Sequence, residues 1–235
     1  MIKKNIAVII QCRLSSSRLR NKIILKIKNK PIIFYLIKRL QKINCDKIIF
    51  ALANEYNSNY LGQLIKKIYN QAIIFKGSKT NVLQRTIDAA EKNNIEHIIR
   101  ITSDCPFFDP YLVNQGIDIY LKNNFDYFSN NLKKSFPHGL DFEIFKTKIL
   151  KKSHDICKDR NNLEHVTWFI KKSKKFKKIN FQSYNNDIKK YRVTLDYLKD
   201  YILFKKLLNQ YSILEKKFDH LTLIKIIKDY SNKKF

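Results

Sequence analysis

The sequence predicts an α/β fold: a three-layer αβα arrangement around a mostly parallel sheet, with a small β-containing arm in the second half. Short apolar runs alternate with amphipathic helical segments along the first half of the chain, and this alternation is typical of βαβ units. Of the 235 residues, 44% are hydrophobic, which is enough to bury one sizeable core. No repeat or linker is visible, so we predict one domain over residues 1–235, with the arm at about 125–190.

Four strands are predicted in the first half from apolar runs. They lie at residues 6–11, 47–53, 71–76 and 97–102. The helices between them are predicted from apolar residues three and four positions apart, and they begin at Pro31, Ser58 and Thr80. Pro31 suits the first turn of a helix, and Thr80 can cap one.

The second half alternates less regularly. We predict helices near 111–122, 162–172, 197–211 and 220–230, and strands at 126–129, 140–145, 178–183 and 191–195. In parallel sheets, ligands bind beyond the carboxyl ends of the strands. The loops over residues 11–22 and 103–110 follow such ends, so we expect the functional site there.

The net charge of +27 and the isoelectric point near 9.9 indicate a strongly basic protein. Because the lysines are spread along the chain, a solvated basic surface is favoured over a polyanionic partner. One dense block, KKSKKFKK at residues 171–178, is interpreted as a solvated helix end rather than a nucleic-acid-binding arm. Nucleic-acid binding stays open as the weaker alternative.

The cysteines and the hydropathy pattern predict a cytoplasmic protein. The four cysteines form no CxxC pair, and no histidine lies at a spacing typical of zinc sites, so free thiols in a reducing compartment are expected. No apolar run approaches the roughly 20 residues that span a bilayer. The start of the chain has too short an apolar core for a signal peptide.

The loop after the first strand is the first candidate site. It carries Arg13, Arg18 and Lys22 around the hydroxyls of residues 15–17, and about twenty residues separate the strand from Pro31, far more than in most such connections. Arginine suits bidentate contact with phosphate, and lysine acts as a point charge. Neither GxxxxGK[ST] nor GxGxxG is present. The loop is either a phosphate-binding loop or an ordinary basic surface loop.

Acids that follow strand ends are the second candidate. Asp104 comes directly after a buried strand and can hold Mg²⁺, which takes one or two carboxylates together with substrate phosphates. Asp196 follows another predicted strand and is a candidate second ligand. Asp109 and Asp200 are interpreted as a helix N-cap and a first-turn helix acid. Cys105 is disfavoured as a nucleophile because no base is apparent for it.

A glycine turn followed by two acids is the third candidate. In the sequence PHGLDFE, the spacing of two places Asp141 and Glu143 on one face of a strand, where they could hold a sugar hydroxyl. The alternative is a hairpin turn with solvated acids.

Six motifs together resemble the cytidylyltransferases that activate sugar acids. This group includes the 3-deoxy-manno-octulosonate and acylneuraminate enzymes, and the branch named after spore coat polysaccharide biosynthesis protein F is the most similar. The QAR-x-x-S-x-RLPGK motif of that branch is matched by Gln11, Cys12, Arg13, Ser16, Arg18, Leu19 and Lys22. The G-S-x-x-D-V-L-x-R motif is matched by Gly77, Ser78, Val82, Leu83 and Arg85. T-G-D-C-P, G-L-D-x-E, E-H-V-T and R-x-T-x-D follow in order at residues 102–106, 139–143, 164–167 and 192–196.

The chain departs from these motifs at four places. Arg20-Asn21 replaces Pro-Gly, Asn81 replaces aspartate, Ser103 replaces glycine, and Leu163 replaces arginine. The first departure falls in the loop predicted to bind phosphate, so we expect the loop conformation to decide whether the resemblance holds.

The resemblance implies the Rossmann-like fold of nucleotide-diphospho-sugar transferases and a reaction in which a sugar hydroxyl attacks the α-phosphate of CTP and pyrophosphate leaves. It implies nucleotide binding by Gln11, Cys12, Arg13, Ser16, Arg18, Lys22, Arg85 and Thr102. It implies catalytic roles for Arg13, Lys22 and Asp104, and Mg²⁺ binding by Asp104 and Asp196. Asp141, Glu143 and His165 would face a sugar-acid substrate, and a homodimer is possible.

A glycosyltransferase that uses a nucleotide-sugar is the main alternative function. Such enzymes usually need an Asp-x-Asp after a strand, whereas residues 102–106 offer one aspartate. Release of pyrophosphate from CTP would distinguish the two.

Overall fold

A seven-stranded sheet forms the centre of the structure, a computed structural model in which residues 5–211 and 218–232 are described. The strands are β1 Ile6–Cys12, β2 Lys26–Ile27, β3 Lys30–Pro31, β4 Lys47–Ala53, β5 Ile73–Gly77, β6 His97–Arg100, β7 Tyr127–Ser129, β8 Glu143–Lys146 and β9 Lys178–Asn180. The sheet order is β5-β4-β1-β6-β8-β7-β9, and β2 and β3 form a separate hairpin. Strands β5, β4, β1 and β6 are parallel, β8 is antiparallel to both neighbours, and β9 is parallel to β7. The predicted mostly parallel sheet is confirmed.

Helices cover both faces of this sheet. They are α1 Ile32–Leu40, α2 Ser58–Ile68, α3 Val82–Lys92, α4 Pro110–Lys122, α5 Thr147–Ile156, α6 Arg160–His165, α7 Trp168–Lys172, α8 Leu198–Gln210 and α9 His220–Asn232. Side chains of a strand alternate between faces, so Val8 and Ile10 pack with α1, α2 and α4, and Ala7 and Ile9 pack with α3 and α5. These two cores give the three predicted layers.

The second half differs most from the prediction. The strands predicted at 126–129, 140–145 and 178–183 contribute β7, β8 and β9 to the main sheet, so the β structure of the predicted arm extends that sheet. The strand predicted at 191–195 is wrong, because the segment makes only an isolated bridge between Arg192 and His138. Helix α5 was not predicted at all.

Two helix boundaries also differ. The single helix predicted at 162–172 is wrong: α6 and α7 are separated at Val166, whose φ is 61°. The predicted cap Thr80 is wrong as well, since Asn81 accepts a hydrogen bond from the Gln84 amide and caps α3. The predicted N-cap Asp109 is confirmed, because it accepts from the Tyr111 amide.

Candidate functional site

The candidate site lies at the carboxyl edge of the sheet, where three segments distant in sequence meet. Lys22 begins a short 3₁₀ helix, Lys22–Ile24, in the loop after β1. Its Nζ donates to Asp104 Oδ2 at 2.7 Å and to Asp196 Oδ1 at 3.0 Å. The lysine is 9% exposed. The two acids predicted to bind a metal therefore converge, and they converge on an ammonium group of the chain itself.

Asp196 is held by more cations than Asp104. Arg18 Nη2 lies 2.9 Å from its Oδ1, and Arg192 Nη2 lies 2.5 Å from its Oδ2. Its backbone amide donates to Asp200 Oδ2 at 2.8 Å, and Asp200 also completes the capping box of α8. The interpretation of Asp200 as a first-turn helix acid is confirmed, and this cap fixes the backbone that presents Asp196.

The ion pairs decide the charge of both acids. Burial by itself would raise the pKa of Asp104, but the Lys22 ammonium outweighs it, and the pKa lies below its ordinary value. The pKa of Asp196 is lowered in the same way, with hydrogen bonds from Lys22 and Arg192 outweighing burial. Both groups are therefore carboxylates at neutral pH, which is the form that a divalent cation binds.

Two adjoining cavities open at this edge. The first, of about 250 Å³, is lined by all eight residues predicted to bind nucleotide: Gln11, Cys12, Arg13, Ser16, Arg18, Lys22, Arg85 and Thr102. The second, of about 270 Å³, is lined by His138, Asp141, Asn131 and Asp196 among others. Four residues line both: Arg18, Arg100, Thr102 and Asp104. A ligand in one cavity would therefore meet a ligand in the other next to Asp104.

One departure from the related motif, Asn21 in the loop after β1, has a backbone conformation that glycine also favours. Asn21 adopts a left-handed conformation, with φ 56° and ψ 21°. The related motif has glycine at this position, and asparagine is one of the few other residues that tolerate this region. Glu55, which the sequence analysis did not single out, lies just after β4, accepts from the Leu14 amide at 2.6 Å and so fixes the loop.

Arg85 is a buried cation that faces the first cavity. It is 2% exposed, and burial lowers its pKa. It donates to the Ser78 carbonyl, while Nε has no hydrogen-bond partner among residues 5–211 and 218–232. A buried guanidinium that makes no ion pair within the described part of the chain favours an anionic or acceptor-rich ligand nearby.

Glu143 lines the second cavity, and protein donors contact both of its oxygens. Its carboxylate accepts from Arg100, Lys171, Tyr127 and Thr167 at 2.6 to 2.9 Å. The two cations outweigh burial and hold its pKa far below the usual range. Both oxygens have protein partners, so Glu143 orients Arg100, while its contact with a sugar stays a prediction. The alternative interpretation, a hairpin turn with solvated acids, does not apply to Glu143, because this residue is 1% exposed.

Arg100 is a site residue that the sequence analysis missed. It lines both cavities, and its Nε donates to Gln11 Oε1 at 3.2 Å while Nη1 donates to Glu143. The signal was present in the sequence, because a charge inside the apolar run HIIRIT must find a buried partner.

The other two residues predicted to face the substrate, Asp141 and His165, line different cavities. Asp141 lies in the second cavity, where its Oδ2 is 3.0 Å from His138 Nδ1 and 3.0 Å from the Gly139 amide. Gly139 has φ 109°, and a Cβ there would lie 2.5 Å from the Val193 carbonyl carbon, so the turn requires glycine. His165, in contrast, lines the first cavity rather than the second.

A strained turn positions His165. Val166 has φ 61° and ψ −57°, and the Thr167 amide donates to the His165 carbonyl at 2.6 Å. This is the rare γ-turn, and a β-branched residue there is strained. The turn directs His165 to the first cavity and Thr167 to Glu143, and such strain is concentrated at functional sites.

The other predictions on single residues are resolved by burial. Cys12 and Cys105 are buried free thiols; burial raises the pKa of Cys12 to about 12 and that of Cys105 well above its ordinary value. Neither is an activated nucleophile.

In the block at 171–178, Lys171 pairs with Glu143, and Lys178 donates to the carbonyls of Lys171 and Ser173, so part of this block has a structural role.

The parallel sheet, the cation-rich loop after β1 and the paired cavities at the carboxyl edge define the class of a nucleotidyltransferase. A sequence model of the family described as cytidylyltransferase matches residues 7–228, and the chain belongs to this family. The prediction of a nucleotidyltransferase that uses CTP is confirmed at this level.

Among the described residues no helix has the length and apolar character needed to cross a bilayer.

Three similar proteins illustrate the family membership. An uncharacterised protein of Methanocaldococcus jannaschii is 32% identical over 209 residues, covering 88% of this chain and 84% of that protein. The spore coat polysaccharide biosynthesis protein SpsF of Bacillus subtilis is 26% identical over 215 residues, covering 86% of each. The solved structure of a cytidylyltransferase from Leptospira borgpetersenii has a TM-score of 0.90 at 28% identity, covering 97% of this chain and 95% of that one. The resemblance to the spore-coat branch is confirmed.

Proposed function

We propose that the chain transfers CMP from CTP to a hydroxyl of a sugar acid, of the 2-keto-3-deoxy or nonulosonic type, and releases pyrophosphate. The observation that carries this proposal is the pair of adjoining cavities that share Arg18, Arg100, Thr102 and Asp104. Two substrates held in such cavities meet at a common wall, which is the arrangement that a group transfer requires. The similarity to the spore coat polysaccharide protein supports a place in surface polysaccharide biosynthesis.

In this proposal the first cavity holds CTP. Arg18 and Lys22 neutralise the triphosphate, and Arg13 and Arg85 contact the rest of the nucleotide, as the cations along the cavity allow. Arg100, oriented by Glu143, faces both cavities and provides a positive group for the carboxylate of a sugar acid. Asp141, which holds His138 on the far wall of the second cavity, faces the sugar.

The two carboxylates at the shared wall fit a divalent cation. Asp104 and Asp196 both lie within hydrogen-bond distance of one atom, Lys22 Nζ, so their oxygens are close enough to share an ion. No group of three or more His, Cys, Asp or Glu side chains suited to a metal occurs in the described part of the chain. Two carboxylates suit Mg²⁺, which completes its shell with phosphate oxygens and water. When bound, Mg²⁺ would polarise the phosphate and offset the charge of pyrophosphate.

The reaction needs positioning and neutralisation of charge more than covalent help. The sugar hydroxyl attacks the α-phosphorus and gives up its proton to solvent, the bond from that phosphorus to the bridging oxygen breaks, and pyrophosphate leaves with the electron pair. Arg18 and Lys22 stabilise the negative charge that develops on the leaving group. Arg100 and Asp141 hold the sugar so that its hydroxyl points to the shared wall.

A substrate screen tests the proposal. The purified chain is incubated with each of the four nucleoside triphosphates and a panel of keto-deoxy sugar acids in Mg²⁺, and pyrophosphate release is measured. We expect release with CTP and at least one sugar acid, and a CMP-sugar by mass spectrometry. Release that is equal for neutral sugars, or transfer from a nucleotide-sugar without pyrophosphate, contradicts the proposal.

A further inference from the structure

The ammonium group of Lys22 lies in the space where the two metal-binding candidates converge. Its Nζ is 2.7 Å from Asp104 and 3.0 Å from Asp196, and the side chain is 11% exposed. Lys22 comes from the loop after β1, whereas both acids lie beyond the carboxyl edge of the sheet. Each acid is therefore neutralised without any ion from solvent.

The surrounding charges are balanced in this arrangement. The acids of the cluster are Asp104, Asp196 and Asp200, and the cations paired with them are Lys22, Arg18 and Arg192. A divalent cation added to this cluster alone would bring two positive charges next to three existing ones. Because Lys22 and Asp196 are largely buried, solvent screens the repulsion at their pair weakly.

A nucleotide changes this balance. Lys22 and Arg18 also line the first cavity, so both can exchange carboxylate contacts for phosphate contacts. Lysine carries its charge on a flexible stem with three donors and can make this exchange by rotating its side chain. The two carboxylates then lose a cation and gain a negatively charged neighbour, and both changes favour a divalent cation.

We propose that Lys22 is a tethered cation that occupies the divalent-cation site of the nucleotide-free protein, so that the metal binds only with or after CTP. This inference rests on the proposed function for the identity of the two ligands, and it adds an order of binding to it. A tethered group competes at a high effective concentration, so free metal must displace it. CTP removes the competitor, and by linkage the metal and CTP increase each other's affinity by the same factor.

The order of binding prevents an unproductive complex. Metal bound without nucleotide would hold Asp104 and Asp196 in place while Lys22 and Arg18 remained without anionic partners in the loop. With Lys22 between the carboxylates, the loop and the acids stay together until a triphosphate arrives. The empty enzyme therefore keeps its site assembled.

Binding of Mn²⁺ without nucleotide tests the inference. Electron paramagnetic resonance of free Mn²⁺ gives its dissociation constant for the wild-type protein, for Lys22→Met, and for the control Lys79→Met, which removes a lysine paired 3.8 Å from Glu55 outside the carboxylate cluster. We expect Lys22→Met to bind Mn²⁺ at least about tenfold more tightly than the wild type and the control. The double variant Lys22→Met with Asp104→Asn should lose this gain.

Equal Mn²⁺ affinities of the wild type and Lys22→Met overturn the inference, and so does a gain that survives Asp104→Asn. If Lys22→Met does not fold, Lys22→Gln is used, because its amide can still donate to the carboxylates without charge. Thermal unfolding gives a further check: Mn²⁺ without CTP should raise the unfolding midpoint of Lys22→Met more than that of the wild type, and equal rises contradict the inference.

Pyrophosphate release by the wild type in the same buffer separates this inference from the proposed function. Release with CTP and a sugar acid, together with equal Mn²⁺ affinities of the two proteins, refutes the role of Lys22 alone. Absence of release, together with the tenfold gain in Lys22→Met, refutes the proposed function and leaves the competition between Lys22 and the metal established.

Discussion

Two clusters of buried acids and cations lie a short distance apart in this protein, and they differ in where their cations come from. In the first, Asp104 and Asp196 are paired with Lys22, which belongs to a loop lining a cavity. In the second, Glu143 on β8 is paired with Arg100 on the adjacent strand β6 and with Lys171 on α7. Pairs of carboxylates and cations therefore occur in two settings: one cluster includes a cavity-lining loop, and the other joins two strands and a helix.

The difference between the clusters is one of mobility and access. The Glu143 side chain is 2% exposed, whereas that of Asp104 is 25% exposed and faces both cavities. Cations held on a strand and a helix cannot leave their acid without disturbing the fold. A lysine on a cavity-lining loop can, so we expect substitutions in the first cluster to act mainly on function. Substitutions in the second cluster should reduce stability and should also disturb Arg100, which lines both cavities.

The largest effect is expected for Asp104→Asn. Loss of a carboxylate at the shared wall should lower turnover on the order of 10³-fold, since a bound metal contributes several kcal/mol to such chemistry. The unfolding midpoint should change little, because Lys22 keeps its contact with Asp196. Pyrophosphate release measures the turnover, and circular dichroism measures the unfolding midpoint. Wild-type rates of CMP-sugar formation would refute the metal assignment.

In the second cluster, substitution of the acid should lower the free energy of unfolding. Glu143→Gln leaves the largely buried Arg100 and the partly exposed Lys171 without their anion, and we expect a loss of about 3 kcal/mol in the free energy of unfolding. Urea denaturation measures it. Glu91→Gln, which breaks the exposed pair with Lys151, is the matched control and should change stability very little. Equal losses in the two variants would contradict the distinction between sealed and exposed pairs.

The lysine that joins the loop to the acids should affect nucleotide binding. For Lys22→Ala we expect CTP affinity in Mg²⁺ to fall about tenfold, the usual effect of removing one charge-assisted hydrogen bond. Calorimetry compares the CTP affinity of Lys22→Ala with that of the wild type and with that of the control, Lys79→Ala. Unchanged CTP affinity would count against the loop as a phosphate-binding element.

The smallest effect is expected from pH. Burial would raise the pKa of Glu143, but Lys171 and Arg100 lower it below the value of about 4.3 that the group has in the unfolded chain. Its contribution to stability is therefore complete above that value and is lost as pH falls further. Unfolding free energies between pH 6 and pH 3 should fall more steeply for the wild type than for Glu143→Gln. Parallel curves would show that the acid is not the group responsible.

Much of the fold was predictable because its signals are local. The four strands of the first half and the cap at Asp109 follow from apolar runs and from the residue types that suit helix starts. The prediction failed where a few residues decided between local alternatives. Asn81 caps α3 instead of Thr80, and Val166 interrupts a helical pattern with a turn that its own side chain disfavours.

The candidate site was predictable as a set of residues but not as an arrangement. The eight residues predicted to bind nucleotide do line one cavity, because motifs record which side chains the chemistry uses. The division of Asp141 and His165 between two cavities was not visible, since it depends on how β8 and the turn at Val166 direct their neighbours. Arg100 was overlooked because its partner lies 43 positions away.

The sequence by itself determined the four parallel strands of the first half, the family, and the residue types gathered at the carboxyl edge, because hydrophobic periodicity and motif spacing are properties of neighbouring residues. The tertiary structure alone decided that Glu143 is sealed inside the sheet while Lys22 lies between two carboxylates, 82 and 174 positions away from it. Both outcomes depend on electrostatic pairing across the fold, and charges distant in sequence become partners only when packing brings them together and removes the water between them.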